Sequence, residues 1–218
     1  MHIDDKGIWV RVRSIRTFVK RSLFLDQEEW DSLHAGVNIS LRISQIDKEL
    51  LPMQEVSYSP GRILNKVIPE LRQDAEEKGL QFEEHIASEM PEMLWGIPSR
   101  VEQILHHLVS NAIKFTPAGS ITVTLFRPDE GHWAMRVTDT GIGIPKEHRE
   151  AIFEPFRQVD ETISREYGGV GLGLSIVKRL TSSMKGKIRV ESEVDRGSTF
   201  TVTLPLVEPE SENNLSVE

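Results

Sequence analysis

The chain has 218 residues, 38% hydrophobic and 28% charged, enough for one packed domain with a smaller appendage and inconsistent with disorder throughout. Lys and Arg number 26 against 34 Asp and Glu, and the net charge of -8 argues against a broad nucleic-acid-binding surface. The absence of cysteine excludes disulfides, thiolate zinc sites and cysteine nucleophiles, and no apolar run nears the ~20 residues of a membrane span.

Helical periodicity opens the chain. Ile8, Val12, Ile15 and Val19 form one apolar stripe, with Arg11, Arg13, Arg16 and Lys20 on other positions. After the acidic stretch Asp26-Gln27-Glu28-Glu29, a second stripe follows with Trp30, Leu33, Val37, Leu41 and Ile43. Residues 1–52 therefore read as a helical hairpin. Two helices alone cannot bury both stripes, so the expected form is a homodimer that pairs hairpins into a four-helix bundle.

From Val56 the pattern changes. Ser59-Pro60 predicts a helix through Lys78, stopped by Gly79, and Leu80 to Ala87 reads as a strand. A helix is expected over Ser99 to Phe115. A strand pair then covers Ile121 to Phe126 and Trp133 to Asp139, turning at Asp129-Glu130-Gly131. Beyond a glycine-rich stretch come a helix from Leu172 to Met184 and strands Lys187 to Ser192 and Ser198 to Leu204. Residues 53–207 make an α/β sandwich, a mixed sheet with helices on one face, and the Glu/Ser/Asn-rich tail at 208–218 reads as flexible.

Three segments carry chemistry. At 100° per residue, Val101, Ile104, Leu105, Leu108, Ala112 and Phe115 share the core side of the helix over 99–115, while Arg100, Gln103, His107, Asn111 and Lys114 form a polar stripe at its edge. One turn apart, the Asn111 amide oxygen and the Lys114 ammonium can reach one polyanion, the first suiting a hydrated Mg²⁺ and the second a phosphate oxygen. Asp139-Thr140-Gly141-Ile142-Gly143-Ile144-Pro145 follows a strand, with a carboxylate placed to accept from an exocyclic amine and glycines that admit a close ligand. Gly168-Gly169-Val170-Gly171-Leu172-Gly173-Leu174 precedes a helix, as a phosphate-cradling helix N-terminus does, but has no Gly-Lys-Ser/Thr of a Walker loop.

In order and spacing these segments, with Phe153-Glu154-Pro155-Phe156 and Gly197-Ser198-Thr199-Phe200, resemble the catalytic and ATP-binding domain of sensor histidine kinases, the GHKL or Bergerat-type nucleotide fold. The resemblance runs from about Ser57 to Leu206. It implies ATP and Mg²⁺ as cofactors, with Asn111 holding the metal and Lys114 neutralising phosphate. It implies further that Asp139 bonds the adenine amine, that Gly141 and Gly143 shape the base pocket, and that Ile144, Phe156 and Thr199 also bind the nucleotide. Residues 146–169 would form a mobile lid, with Gly169, Gly171, Leu172 and Gly173 closing on the triphosphate. His107 stands where the family usually has a second Asn, Val170 where it often has Thr, and Ile97 where an Asp often precedes the proline. His107 and Lys114 are the candidate catalytic side chains of the nucleotide site.

The resemblance also requires an acceptor histidine. Counting back from Ser44-Gln45-Ile46-Asp47, which resembles the end of the family's second helix, the acceptor falls at His2, followed by Ile3, Asp4 and Asp5, with Gly7 in place of the usual proline. The implied function is transfer of the ATP γ-phosphate to a histidine and on to the aspartate of a response-regulator receiver domain. The implied setting is the cytoplasmic portion of a longer parent with an upstream sensor domain, the sequence leaving open whether that parent is anchored in a membrane. The departures at the acceptor segment, His107 and Val170 leave a second reading open, a pseudokinase module that dimerises and binds nucleotide without phosphorylating itself.

Overall fold

The computed structural model describes residues 54–155 and 171–209. The hairpin expected over 1–52, His2, Phe156, Gly169 and Val170 lie outside the described residues, as does the tail beyond Pro209.

Strand β1 (Val56–Tyr58) leads into helix α1 (Pro60–Glu77), whose first position is the proline expected there. Ile63, Leu64, Ile68, Leu71 and Ala75 are all buried, at the 3.6-residue spacing of one helix face. Strand β2 (Gln81–Ile86) follows, then β3 (Leu94–Gly96), helix α2 (Pro98–Phe115), and the hairpin of β4 (Ser120–Asp129) and β5 (His132–Asp139). Two single 3₁₀ turns lie at Lys146–His148 and Ala151–Phe153. Helix α3 (Gly173–Ser183) and strands β6 (Lys187–Glu193) and β7 (Gly197–Pro205) complete the order. Every helix and strand expected between residues 54 and 209 is present, with ends shifted by no more than one residue except at β4, which runs three residues beyond the expected Phe126.

Five strands form one sheet in the order β2-β4-β5-β7-β6, β2 running parallel to β4 and the other pairs antiparallel. Period-2 alternation decides which side chains face the helices: Ile121, Val123 and Leu125 from β4, Trp133, Met135 and Val137 from β5, and Phe200, Val202 and Leu204 from β7 are all buried. Against them pack Ile104, Leu105, Leu108 and Val109 of α2, which lies between α1 and α3. Burying a Leu or Ile side chain contributes about 1.5–3 kcal/mol, so this layer is the main source of the fold's stability. The sheet is mixed and its helices cover one face, as the alternation implied.

The small antiparallel sheet of β1 and β3 was not expected. Three residues are too few to display a period, and their pairing joins segments 38 residues apart in register, Ser57 to Trp95.

Candidate functional site

The C-terminal half of α2 is anchored before any ligand is considered. Thr116 ends the helix and its buried Oγ1 donates to the Ala112 carbonyl at 2.7 Å. Lys78 Nζ donates to the Ile113 and Lys114 carbonyls at 2.6 and 3.1 Å, a cation on the negative end of the helix dipole. Lys114 lies in the last turn, its Nζ 4.7 Å from the centroid of the Phe115 ring, and partial burial lowers its ammonium pKa.

Helix α3 runs antiparallel along α2. At one end of the seam, the Arg100 guanidinium is buried and donates to Ser183 Oγ at 3.2 Å. At the other end, Gly173 opens α3 against His107 and Asn111: a Cβ built on Gly173 would lie 3.7 Å from His107 Nδ1, 3.7 Å from Asn111 Nδ2 and 3.8 Å from Asn111 Oδ1. The polar stripe of α2 is thus divided. With 1.5 Å rise per residue, Arg100 sits roughly 16 Å from Asn111 along the axis and belongs to helix packing, while His107 and Asn111 face the start of the glycine-led helix. Gly171 and the buried Leu172 lead into that helix, and Ser175 Oγ donates to the Leu172 carbonyl at 2.8 Å.

The loop after β5 packs on the same end of α2. Ile142 N–H donates to the Phe115 carbonyl at 3.2 Å, and Asp195 N–H, from the β6–β7 turn, donates to the Ile142 carbonyl at 2.9 Å. Close approach dictates the glycines. A Cβ on Gly141 would stand 2.3 Å from the Phe115 carbonyl oxygen, and Gly143, at φ +68°, would put one 2.0 Å from the Glu193 carbonyl oxygen. Ile144 N–H donates to Ser192 Oγ at 2.7 Å, and that hydroxyl donates to the Gly197 carbonyl at 2.9 Å. Arg149 closes the loop by donating to the carbonyls of Ile144 and Ser192.

Asp139 ends β5 with 6% of its surface exposed. Its Oδ1 accepts from Gly141 N–H at 2.9 Å and Ser198 N–H at 3.2 Å. Burial pushes its carboxyl pKa above the usual carboxylate value, and the two backbone donors pull against that shift. Such a carboxylate is fixed in direction by one oxygen.

Thr199 stands diagonally across from Asp139 on the neighbouring strand. The register pairs Asp139 with Ser198 and Thr138 with Thr199, whose hydroxyls lie 3.2 Å apart. Successive residues of a strand face opposite sides. Ser198 therefore shares the helix-covered side with Asp139, while Thr199 faces the other side of the sheet. A cavity of about 300 Å³ at this end of the strands is bordered by Thr138, Asp139, Glu191, Arg196, Ser198 and Thr199, so Thr199 and Asp139 line one space. The alternation Ser198, Phe200, Val202, Leu204 makes that parity legible in the sequence. Ser192 and Arg149, which hold the loop, carried no local signal at all.

The model of the family described as "Histidine kinase-, DNA gyrase B-, and HSP90-like ATPase" matches residues 96–208, more than half of the chain. The autoinducer 2 sensor kinase/phosphatase LuxQ of Vibrio vulnificus is 38% identical over 187 residues, 84% of this chain and 22% of that protein. The signal transduction histidine-protein kinase BarA of Escherichia coli is 36% identical over 174 residues, 78% of this chain and 19% of that protein. Among solved structures, full-length ShkA in complex with AMPPNP superposes with a TM-score of 0.70 at 30% identity, covering 85% of this chain and 38% of that one. The chain spans about a fifth of the length of the curated relatives it matches. Among the described residues no helix is long and apolar enough to cross a membrane.

Proposed function

The chain belongs to the histidine kinase-, DNA gyrase B- and HSP90-like ATPase family, and on that basis we propose that it is the kinase portion of a sensor histidine kinase, passing the γ-phosphate of ATP to a histidine and then to a response-regulator aspartate. The observation that carries this reading is the meeting of His107 and Asn111 of α2 with Gly173 of α3, beside a loop that fixes the buried Asp139. ShkA, named above, is described as a complex with an ATP analogue, and LuxQ and BarA bear kinase names.

The residues present fit the nucleotide and its cation. The bare Cα of Gly173 leaves open, next to the Asn111 carboxamide, the space a side chain would fill. Asn111 would hold Mg²⁺, which supplies neutralisation of phosphate charge when bound. Asp139 accepts a hydrogen bond from the exocyclic amine of adenine, its Oδ1 pinned by Gly141 and Ser198 so that the carboxylate cannot swing. Lys114 and the backbone N–H groups at the start of α3 face the phosphates, which lets a net-acidic protein bind a polyanion through local donors. Gly143 and Ile144 shape the loop around the base, and Phe156 and Gly169 are further nucleotide-binding residues of this reading. Residues 1–52 supply the dimerising hairpin and the acceptor His2, residues 53–207 the catalytic domain, and residues 208–218 the tail. The receiver domain, the sensor and any membrane anchor are partners or parts of a longer parent.

Incubation of the chain with γ-labelled ATP and Mg²⁺ tests the reading. Acid-labile, base-stable label that disappears in His2→Ala is expected. ATP binding without any label would overturn the transfer step.

A further inference from the structure

We propose that His107 makes this site prefer a divalent transition-metal ion over Mg²⁺ as the cation carried with the nucleotide, an inference that rests on the nucleotide reading above. His107 and Asn111 are four residues apart on α2, stacked one above the other on one face. Both flank the place a Gly173 side chain would take, which is 3.7 Å from His107 Nδ1, 3.7 Å from Asn111 Nδ2 and 3.8 Å from Asn111 Oδ1, so the carboxamide offers its oxygen or its amine there. An imidazole nitrogen and a carboxamide oxygen thus border one space at the start of α3, and no side chain of Gly173 separates them. His107 is half-buried and its ring meets that of His106 edge-on, with centroids 6.1 Å apart.

The donor types decide the selectivity. Mg²⁺ is a hard cation that takes oxygen ligands in octahedral array and keeps much of its water. An imidazole nitrogen gains it little. Divalent cobalt, nickel and zinc take imidazole readily, in the order that raises affinity from manganese to copper. A site whose protein donors were both oxygen would leave the nucleotide's own metal preference unchanged. One nitrogen donor tilts it. The cation is then held jointly by the phosphates, Asn111 Oδ1 and a His107 ring nitrogen, and the side chain at position 107 sets which metal accompanies the nucleotide.

The test measures the affinity of the 218-residue chain for ADP in Co²⁺ and in Mg²⁺, alongside the visible absorption of Co²⁺ in the complex. The ratio of the two affinities, divided by the ratio of the two metals' affinities for ADP in water, is expected to exceed one by about tenfold. In His107→Asn and His107→Gln it is expected to fall to about one, and the Co²⁺ absorption band to move to lower energy as nitrogen is replaced by oxygen. Circular dichroism verifies that both variants fold. Equal ratios and spectra in all three folded proteins would overturn the assignment. Failure of the wild-type chain to bind ADP with either metal would sink the nucleotide reading itself, and the metal preference with it.

Discussion

Gly173→Ala separates stability from binding. The added Cβ lies 3.7 to 3.8 Å from its nearest neighbours, Asn111 and His107, which is ordinary van der Waals contact, and Gly173 does not adopt a positive φ. Nothing in the empty protein has to move. Replacing a glycine by alanine at a compatible position stabilises by about 0.4–1 kcal/mol through the unfolded chain, so Tm should rise by roughly 1–4 °C for a protein of this size. The same methyl occupies the space next to Asn111 Oδ1 that a phosphate oxygen or a metal-bound water needs. Losing one charge-assisted contact costs about 1.5–3 kcal/mol, or roughly 10- to 150-fold in nucleotide affinity. Differential scanning calorimetry of the empty protein and a fluorescent-ADP titration read the two effects separately. A variant that is less stable than wild type, or one that binds ADP as well as wild type does, would refute the geometry assigned to this corner.

The other predictions concern the loop after β5. Asp139→Asn keeps an oxygen to accept from Gly141 and Ser198 but is expected to abolish nucleotide binding, since the neutral amide replaces a charge-assisted acceptor. Because burial raises the folded pKa of Asp139 above its unfolded value of 3.8, wild-type stability falls relative to this variant as pH rises from that value through the folded pKa. Urea unfolding at pH 4 and pH 7 should show Asp139→Asn gaining on wild type at the higher pH, and a gain in the opposite direction would contradict the burial argument. Gly143→Ala meets the Glu193 carbonyl and forces a residue with Cβ to φ +68°. About 3 kcal/mol of destabilisation is expected, roughly a 10 °C drop in Tm. Ser192→Ala removes the acceptor of Ile144 N–H, and hydrogen exchange at that amide should quicken by about tenfold, corresponding to about 1.4 kcal/mol of local stability.

The long elements were legible in the sequence because their periods are. Eighteen residues of α1 and eighteen of α2 repeat a 3.6-residue pattern often enough to fix both the helix and its buried face, and the alternation in β4, β5 and β7 did the same for the sheet. Asn111, Asp139 and Gly173 were legible because each sits in a segment with its own chemical signature. What the sequence could not display was tertiary. Arg100 shares the stripe of Asn111 on a helical wheel, yet α3 covers the stripe's first half and turns Arg100 into a packing residue held by Ser183. Ser192 and Arg149 hold the Gly143-Ile144 loop across more than 40 residues of sequence, a distance no local pattern spans. The parity that sets Ser198 and Thr199 on opposite faces was legible as well, for Phe200, Val202 and Leu204 make it plain.

The account stands on a nucleotide seated between the C-terminal half of α2, the Asp139 loop and the first turn of α3. Backbone and side-chain amide NMR spectra of the ¹⁵N-labelled chain, titrated with ADP and a divalent cation, address that claim directly. Shifts concentrated at the Asn111 carboxamide and the Gly141 and Gly173 amides are the expected result. Shifts centred on the opposite side of the sheet, at Thr138 and Thr199, with those three groups unmoved, would contradict it.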